Sequence, residues 1–372
     1  MKVKILQENL HKSLSLAERF VAARPQLPIL SNILLKADSS GFYVVATNLE
    51  TGIRYRVGAK IEKEGSLTVP AKTFFEFVGN LPSETVSLVV EDEQLKATCA
   101  NFSASFQGIS STEYPDFPEK GKEEESEISL KVMNEIIDKV GFAASSDDSR
   151  PVLTGMFWDL GKSSSKIAAT DGYRLSLLNI STKELGGRET LLLLPSQVLR
   201  DVGKVFTDIS SEKIKVSWSD KQKQVFFISN DLEVVTRVLE GEYPNYKAVI
   251  PEEEGIRVLV EKESLLKAVK MAAIFARESA NIIKWSINSK GLVVSANSPQ
   301  VGENKSVVEY EGEVTEEKDI AFNSRYLLDL LSHIDSKKIV FTMTEPLRPG
   351  VFYEEGNEKR FLHVIMPVRV QD

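Results

Sequence analysis

The chain has 372 residues, of which 42% are hydrophobic and 27% are charged, and its formal net charge is −8. No apolar run approaches the ~20 residues that a membrane-spanning helix needs, and Met1–Asn9 lacks a signal-peptide pattern, so a cytoplasmic protein is expected. A single cysteine excludes an internal disulfide, and three scattered histidines offer no metal-ligand spacing.

An apolar stripe with the spacing 0, +4, +7, +11 occurs three times along the chain. This spacing marks one face of a helix, so it predicts three related helices. The stripe consists of Leu10, Leu14, Ala17 and Val21, then of Met133, Ile137, Val140 and Ala144, and then of Leu265, Val269, Ala272 and Ala276.

Each stripe is followed by a run that predicts a strand, at 44–48, 166–171 and 292–297. A second predicted helix follows in each case, with apolar residues Phe74, Phe77, Val78 and Leu81, then Leu199, Val202, Gly203 and Phe206, then Leu327, Leu330, Leu331 and Ile334. Each of these helices leads into an alternating strand, marked by Val86, Leu88 and Val90, by Ile214, Val216 and Trp218, and by Ile339, Phe341 and Met343. The fold class is therefore α+β, with three copies of one domain and a doubled unit of helix plus strands in each copy.

Two charged segments that contain proline separate the copies, at 115–125 and at 251–255. Each segment is preceded or overlapped by a similar Tyr-Pro phrase, Glu113–Phe117 and Glu242–Tyr246. We therefore predict three domains, at 1–120, 128–250 and 255–372.

The charge is distributed unevenly between the predicted helices and the rest of the chain. The helix windows 8–24, 72–81, 131–144, 196–206, 262–277 and 324–334 carry 13 Lys and Arg against 8 Asp and Glu, although the whole chain is acidic. A positive helical face would attract phosphates, and an acidic remainder would discourage DNA from binding elsewhere. Solvated Lys and Arg on ordinary helices would give the same count.

Catalytic motifs are scarce in the sequence. There is no Gly-rich phosphate loop followed by Lys, no Gly-x-Ser-x-Gly elbow and no histidine pair on a helix. The phrase Ala169–Leu175 is best interpreted as a tight Asp-Gly hairpin turn rather than a catalytic loop. The apolar run Phe361–Val370 is expected to be a buried strand or an apolar edge that accepts a partner peptide, and Pro367 requires an edge or a strand end.

A set of phrases taken together resembles the bacterial DNA polymerase III beta subunit family, the sliding clamps. The resemblance covers the whole chain in order and is carried by Arg24–Asn32, Ala169–Leu175, Tyr243–Tyr246, Phe322–Tyr326 and Met366–Arg369. It implies a head-to-tail homodimer in which two three-domain chains form a six-domain ring around double-stranded DNA, with helices inside and sheets outside. It also implies a non-catalytic processivity factor without a cofactor, which tethers the polymerase and is opened by an ATP-dependent clamp loader.

The resemblance further implies a pocket between the second and third domains for short peptides of the polymerase, the clamp loader and other partners. Its apolar floor would be Leu153, Leu175, Pro244, Val249, Val364 and Met366. Its polar rim would be Thr170, Gly172, Tyr173, Arg174, Asn323, Tyr326, Pro367 and Arg369. Core packing explains each apolar member about equally well. Ala248 and Ala280 depart from the family pattern, so one side of the pocket is expected to be more open.

For DNA, the family pattern points to Arg24, Lys72 and Arg150, while helix position alone suggests Lys12, Arg200, Lys204, Lys267 and Lys270. A non-catalytic repeat scaffold that does not encircle DNA is the alternative function. An α+β enzyme would need a clustered histidine or carboxylate pair, which the sequence lacks.

Overall fold

A computed structural model describes residues 1–22, 27–121, 125–187, 189–219, 221–252, 255–314 and 316–369. This part of the chain contains six α-helices and 26 strands, with two of the helices in each third. None of the described helices is both long and apolar enough to cross a membrane. The predicted order of a helix followed by strands, repeated twice in each third, is confirmed.

The elements of the first third are β1 (Lys2–Leu6), α1 (Gln7–Glu18), β2 (Asn32–Asp38), β3 (Gly41–Thr47), β4 (Thr51–Val57), β5 (Lys60–Lys63), β6 (Gly65–Pro70), α2 (Ala71–Gly79), β7 (Thr85–Glu91), β8 (Gln94–Cys99) and β9 (Phe102–Gln107). Those of the second are β10 (Ser126–Ser129), α3 (Leu130–Val140), β11 (Gly155–Leu160), β12 (Ser164–Thr170), β13 (Arg174–Ser181), β14 (Thr190–Pro195), α4 (Ser196–Asp208), β15 (Lys213–Ser219), β16 (Gln224–Ser229) and β17 (Leu232–Arg237). Those of the third are β18 (Ile256–Glu261), α5 (Lys262–Ala276), β19 (Ile282–Asn288), β20 (Gly291–Ser298), β21 (Gly302–Val308), β22 (Tyr310–Glu311), β23 (Lys318–Asn323), α6 (Ser324–His333), β24 (Lys338–Met343), β25 (Gly350–Glu354) and β26 (Phe361–Ile365).

Most members of the apolar stripes lie on the buried faces of the helices, with Phe77 and Ile137 half-buried, but two of the predicted helices are too long. Helix α1 ends at Glu18 rather than near residue 24, because the Phe20 amide bonds to the Ala17 carbonyl over 3.0 Å and so tightens the last turn. Helix α3 ends at Val140, and Gly141 opens a short 3₁₀ turn. Glycine is a poor helix former, which accounts for this stop.

The described chain divides into two compact units. The first unit comprises Met1–Leu130 and Asp201–Val238 and contains two antiparallel sheets. Their strand orders are β5-β1-β7-β8-β9 and β10-β15-β16-β17-β4-β3-β2-β6. The second sheet is continuous because β17, the last strand of the second third, pairs with β4 of the first third.

The second unit comprises Lys131–Arg200 and Leu239–Asp372 and also contains two sheets. Their strand orders are β14-β11-β12-β13-β26-β25-β24-β18-β22 and β21-β20-β19-β23. The nine-stranded sheet is joined in the same way, since β26, the last strand of the third third, pairs with β13 of the second. Part of the core of this unit is a group of rings from both sheets, Trp285, Phe322, Phe341 and Phe352, most of which meet edge to face.

Candidate partner-binding site

The Asp-Gly phrase forms the tight turn between β12 and β13 that the sequence predicts. The Asp171 carboxylate accepts the backbone amides of Tyr173 and Arg174, and the Thr170 hydroxyl accepts the Gly172 amide and donates to the Arg174 carbonyl over 2.6 Å. Gly172 has φ +94°, a conformation that side chains with a Cβ rarely adopt. Asp171 therefore orders a hairpin, as expected.

The Arg174 side chain extends from this turn and donates hydrogen bonds to three acceptors. Its guanidinium bonds to Asp329 over 2.6 Å, to Asp171 over 3.1 Å and to the Phe142 carbonyl over 2.8 Å. It also lies 4.8 Å from the Tyr326 ring, and Tyr326 stacks on Tyr173 with a centroid distance of 6.5 Å. Only 10% of the Arg174 side chain is exposed, so this residue orders the wall of the site. The Tyr173 ring, in contrast, is accessible, since Tyr173 is 59% exposed.

The segment that follows β26 packs beside this turn. Strand β26 lies between β13 and β25, so the alternative prediction of an apolar edge at the terminus is wrong. Pro367 follows the strand end at Ile365, as required for a residue without an amide hydrogen. Beyond the strand, the Met366 amide donates to the Tyr173 carbonyl over 2.8 Å, and Met366 and Pro367 are half-buried.

An apolar cluster forms the base of the site. Leu175 and Val364 are directly opposite each other in the β13–β26 ladder and are each 1% exposed. They pack with Ala168, Leu177, Tyr246, Val351 and Leu362, and Tyr243 and Ile250 flank the group. The Tyr-Pro phrase thus positions Tyr246 against the same two strands that carry Leu175 and Val364. Burial raises the pKa of Tyr246 to about 12, so its ring stays neutral.

The other residues predicted for the pocket lie on nearby segments of the same unit. Leu153 is buried in a short 3₁₀ turn, Asn323 caps α6 by accepting the Arg325 amide, and Arg369 is exposed. Pro244 is exposed, and Val249 is 38% exposed. Sequence reasoning missed Asp329 and Phe142, which hold Arg174, and no local motif marks either residue.

The predicted DNA contacts have different surroundings. Arg24 lies outside the described residues. Lys72 is exposed in the first turn of α2. Arg150 pairs with Asp147 over 3.0 Å, and its guanidinium lies beside Gly172, where an added Cβ would be 3.7 Å from Nη1. Arg150 therefore borders the hairpin turn of the candidate pocket.

The residues suggested for DNA contact by helix position alone also differ in their surroundings. Lys12, Lys204, Lys267 and Lys270 are exposed on α1, α4 and α5. Arg200 instead donates to the Gly141 carbonyl and to the Ser196 and Gln197 side chains. Among the residues that the structure describes, no group of three or more His, Cys, Asp or Glu side chains could hold a metal ion.

Family models for all three domains of the DNA polymerase III beta subunit match the chain. The N-terminal domain matches residues 1–118, the central domain 127–245 and the C-terminal domain 247–369. The beta sliding clamp of Synechococcus elongatus is 30% identical over 378 residues, covering 100% of both chains, and that of Bacillus subtilis is 27% identical, covering 99% of this chain and 100% of the relative.

Solved structures agree with these sequence comparisons. The DNA polymerase III beta subunit of Thermotoga maritima superposes with a TM-score of 0.91 at 28% identity, and the Bacillus subtilis DNA polymerase sliding clamp with 0.92 at 26% identity. Both matches cover 100% of each chain. The chain therefore belongs to the DNA polymerase III beta subunit family, the sliding clamps.

Proposed function

We propose that two copies of this chain join head to tail into a ring around double-stranded DNA and tether the replicative polymerase to it. As a family member, the chain is a DNA sliding clamp and a non-catalytic subunit of DNA polymerase III. A ring linked around DNA needs only weak contacts with phosphates, so it slides without sequence preference. A polymerase held on the ring stays near the primer end at high effective concentration. The ring acts in the cytoplasm, and a clamp loader that uses ATP opens it.

The observation that carries this proposal is the repeated use of one kind of strand junction. Strands β4, β13 and β21 are each the third strand after the first helix of a third, and β17, β26 and β9 are the last strands. The pairs β17–β4 and β26–β13 join successive thirds. Strands β9 and β21 are sheet edges in the described chain. Pairing β21 of one copy with β9 of another would repeat the junction and close a ring through a heterologous contact.

Exposed apolar side chains on both edges support this pairing. Phe102 of β9 is 54% exposed and Val307 of β21 is 58% exposed. When the register of β4 and β17 is transferred to β21 and β9, Phe102 takes the place of Leu232 and lies opposite Ser306, and Val307 is the next residue of β21. Large exposed apolar residues on an edge strand favour coverage by a partner.

The helix beside β21 gives an independent indication. Residues Leu16, Lys139 and Met271 occupy the same position of the repeated helix, six residues after the first apolar member of the stripe. Leu16 and Lys139 are 1% and 4% exposed, whereas Met271 is 49% exposed. A second copy seated on α5 and β21 would bury Met271 as its counterparts are buried.

For partners, we propose that short extended peptides of the polymerase and clamp loader bind where the Tyr173 ring, Met366 and the Leu175–Val364 cluster converge. The accessible Tyr173 ring and the half-buried Met366 offer apolar contact, while the locked Arg174 keeps the wall rigid. The fourteen residues that the family resemblance assigns to this pocket are its proposed lining. Arg24, Lys72 and Arg150 are proposed DNA contacts, and 1–120, 128–250 and 255–372 are the proposed domains.

Retention on DNA tests the proposed ring. The chain is loaded onto nicked circular DNA with a clamp loader and ATP, and the complex is passed through a sizing column. A ring stays on the circle and is released when a restriction enzyme linearises the DNA, because it slides off the ends. Equal retention on circular and linear DNA would favour the repeat scaffold instead.

A further inference from the structure

A large open groove lies within the first unit and shares no residue with the proposed peptide pocket, which belongs to the second unit. Its volume is about 980 Å³, and strands β2, β3, β4 and β17 and the segment Tyr114–Glu119 line it. This volume is within the range of ligand-binding clefts.

The repeat supplies a filled counterpart for comparison. In the second unit, Phe157, Ala168, Leu177 and Leu362 are paired in one row across β11, β12, β13 and β26. Tyr246 of the second Tyr-Pro phrase packs against this row, and all these residues belong to or flank one apolar cluster. An aromatic ring from the connecting segment therefore covers this row of the sheet.

The equivalent row in the first unit is Leu34, Val45, Arg54 and Glu233, paired across β2, β3, β4 and β17. Two leucines of the covered row are thus replaced by Arg54 and Glu233, whose side chains form an ion pair at 2.6 Å. Phe117 takes the place of Tyr246 in the Tyr-Pro phrase, remains half-buried and holds the Arg54 guanidinium 4.9 Å from its ring centroid. Charged groups at these two positions keep the face hydrated and open.

The charges around the groove identify the chemistry that would complement it. Its three basic residues are all paired with carboxylates, namely Lys36 with Asp38, Arg54 with Glu233 and Arg56 with Asp231. Asp116 and Glu119 line the same groove and are exposed, and in the described part of the chain neither forms an ion pair. The groove therefore has two carboxylates in excess, which disfavours nucleic acid and favours a cationic ligand.

We propose that this groove is a second docking site, which binds an extended basic peptide segment of a partner protein. An aromatic or aliphatic side chain of the peptide lies over Leu34, Val45 and Phe117. A neighbouring Lys or Arg pairs with Asp116 and Glu119. A ring of two chains would then offer two such sites in addition to the two peptide pockets, so different partners could be held at the same time.

A random heptapeptide library displayed on phage tests the proposal against the full chain. Selected peptides are synthesised, and their affinity is measured by fluorescence anisotropy for the unmodified chain, the Asp116→Lys/Glu119→Lys variant and the Met366→Glu variant. Since each exposed ion pair contributes modestly, reversing two charges should weaken a groove-binding peptide about tenfold. Thermal unfolding of the variant should be unchanged because both carboxylates are exposed.

The expected result is a class of peptides with Lys or Arg beside an aromatic or aliphatic residue, weakened in the charge-reversal variant and unaffected by Met366→Glu. A second variant, Arg54→Leu/Glu233→Leu, should make this row of the sheet apolar, as it is in the second unit. The groove should then close, and peptides of this class should no longer bind. The proposal is overturned if every selected peptide binds both groove variants with unchanged affinity. Loss of binding only in Met366→Glu would assign the peptides to the proposed pocket and leave no role for the groove.

Discussion

Lys139 of α3 and Glu354 of β25 form a buried ion pair, with Nζ 2.6 Å from Oε1 and with 6% and 5% of their side chains exposed. Lys139 also donates to the His333 carbonyl over 2.6 Å and pairs with Asp335 over 2.9 Å. Burial alone would lower the Lys139 pKa, but the hydrogen bonds to Glu354 and Asp335 outweigh it and raise the pKa. Lys139 therefore stays charged, and its bond to Glu354 fixes helix α3 to the strand that carries this carboxylate.

Replacing only Lys139 should lower the free energy of unfolding more than replacing both charged residues of the pair. Lys139→Met leaves the Glu354 carboxylate buried without its cation, at a cost of about 3–5 kcal/mol. Lys139→Met/Glu354→Leu removes both charges and should recover most of that loss. Urea unfolding of both variants measures the difference, and equal midpoints would show that the carboxylate needs no cation.

Ring closure should depend on the exposed apolar residues of β21 and α5. Val307→Glu/Met271→Glu would bury two charges against the partner, and the chain should become a monomer at micromolar concentration by native mass spectrometry. Leu191→Glu is the matched control, because Leu191 is 64% exposed on β14 and lies outside the proposed junction. A double variant that remains a dimer would exclude the β9–β21 junction.

Charge reversal at Arg24 and Lys72 should weaken retention on circular DNA and reduce its dependence on salt, without creating any sequence preference. The reason is that contacts with phosphates release counterions but carry no base information. Retention is measured between about 50 and 200 mM salt, the range over which such contacts respond strongly. An unchanged salt slope would remove both residues from the DNA surface.

Arg150 can be assigned by comparing two measurements on one variant. It borders the Gly172 turn and pairs with exposed Asp147, so Arg150→Glu reports on both proposed sites. Weaker peptide binding with a normal salt slope on DNA would place Arg150 in the pocket. The opposite pattern would confirm the family expectation that it contacts DNA.

Met366→Glu should abolish binding of polymerase and clamp-loader peptides and leave the dimer intact. A charge in a half-buried position beside the Leu175–Val364 cluster would cost several kcal/mol, on the order of a hundredfold or more in affinity. Anisotropy titration of a labelled peptide measures the loss, and Leu191→Glu again serves as the control. Native affinity in the Met366 variant would show that the tail is only core.

His363 should make the fold sensitive to mild acid. It is fully buried and bonds to the Ser176 hydroxyl over 2.6 Å, and its ring is also near Phe142, Arg174 and His333. Burial, with a smaller contribution from Arg174 and His333, lowers the pKa well below 6.5. Its stabilising contribution is therefore complete above pH 6.5 and is lost as the pH falls below that value. His363→Gln should flatten the fall in the urea midpoint between about pH 6.5 and 5, and a parallel curve would contradict this assignment.

The repeat and its helices and strands are predictable from the order of residues alone. Helical faces such as Leu265, Val269 and Ala272 are predictable because the 3.6-residue period appears directly in the order of apolar residues. The Asp171–Gly172 turn is predictable because its hydrogen bonds join residues two and three positions apart. The stripes predict ends for α1 and α3 that lie too far along the chain, because each stripe continues beyond the point where hydrogen bonding changes.

The way in which distant segments share one site depends on the folded structure. The β26–β13 pairing brings Val364 opposite Leu175 across 189 residues, and no local pattern encodes which sheet a terminal strand enters. The sequence predicts Arg174 at the rim of the pocket. In the structure its side chain is largely buried, because Asp329, 155 residues away, accepts a hydrogen bond from its guanidinium. The replacement of Leu177 and Leu362 by Arg54 and Glu233 is visible in the sequence, but its consequence, an open groove, depends on strand register. Register is a property of the folded sheet, because hydrogen bonds between strands set it and the order of residues along one strand does not.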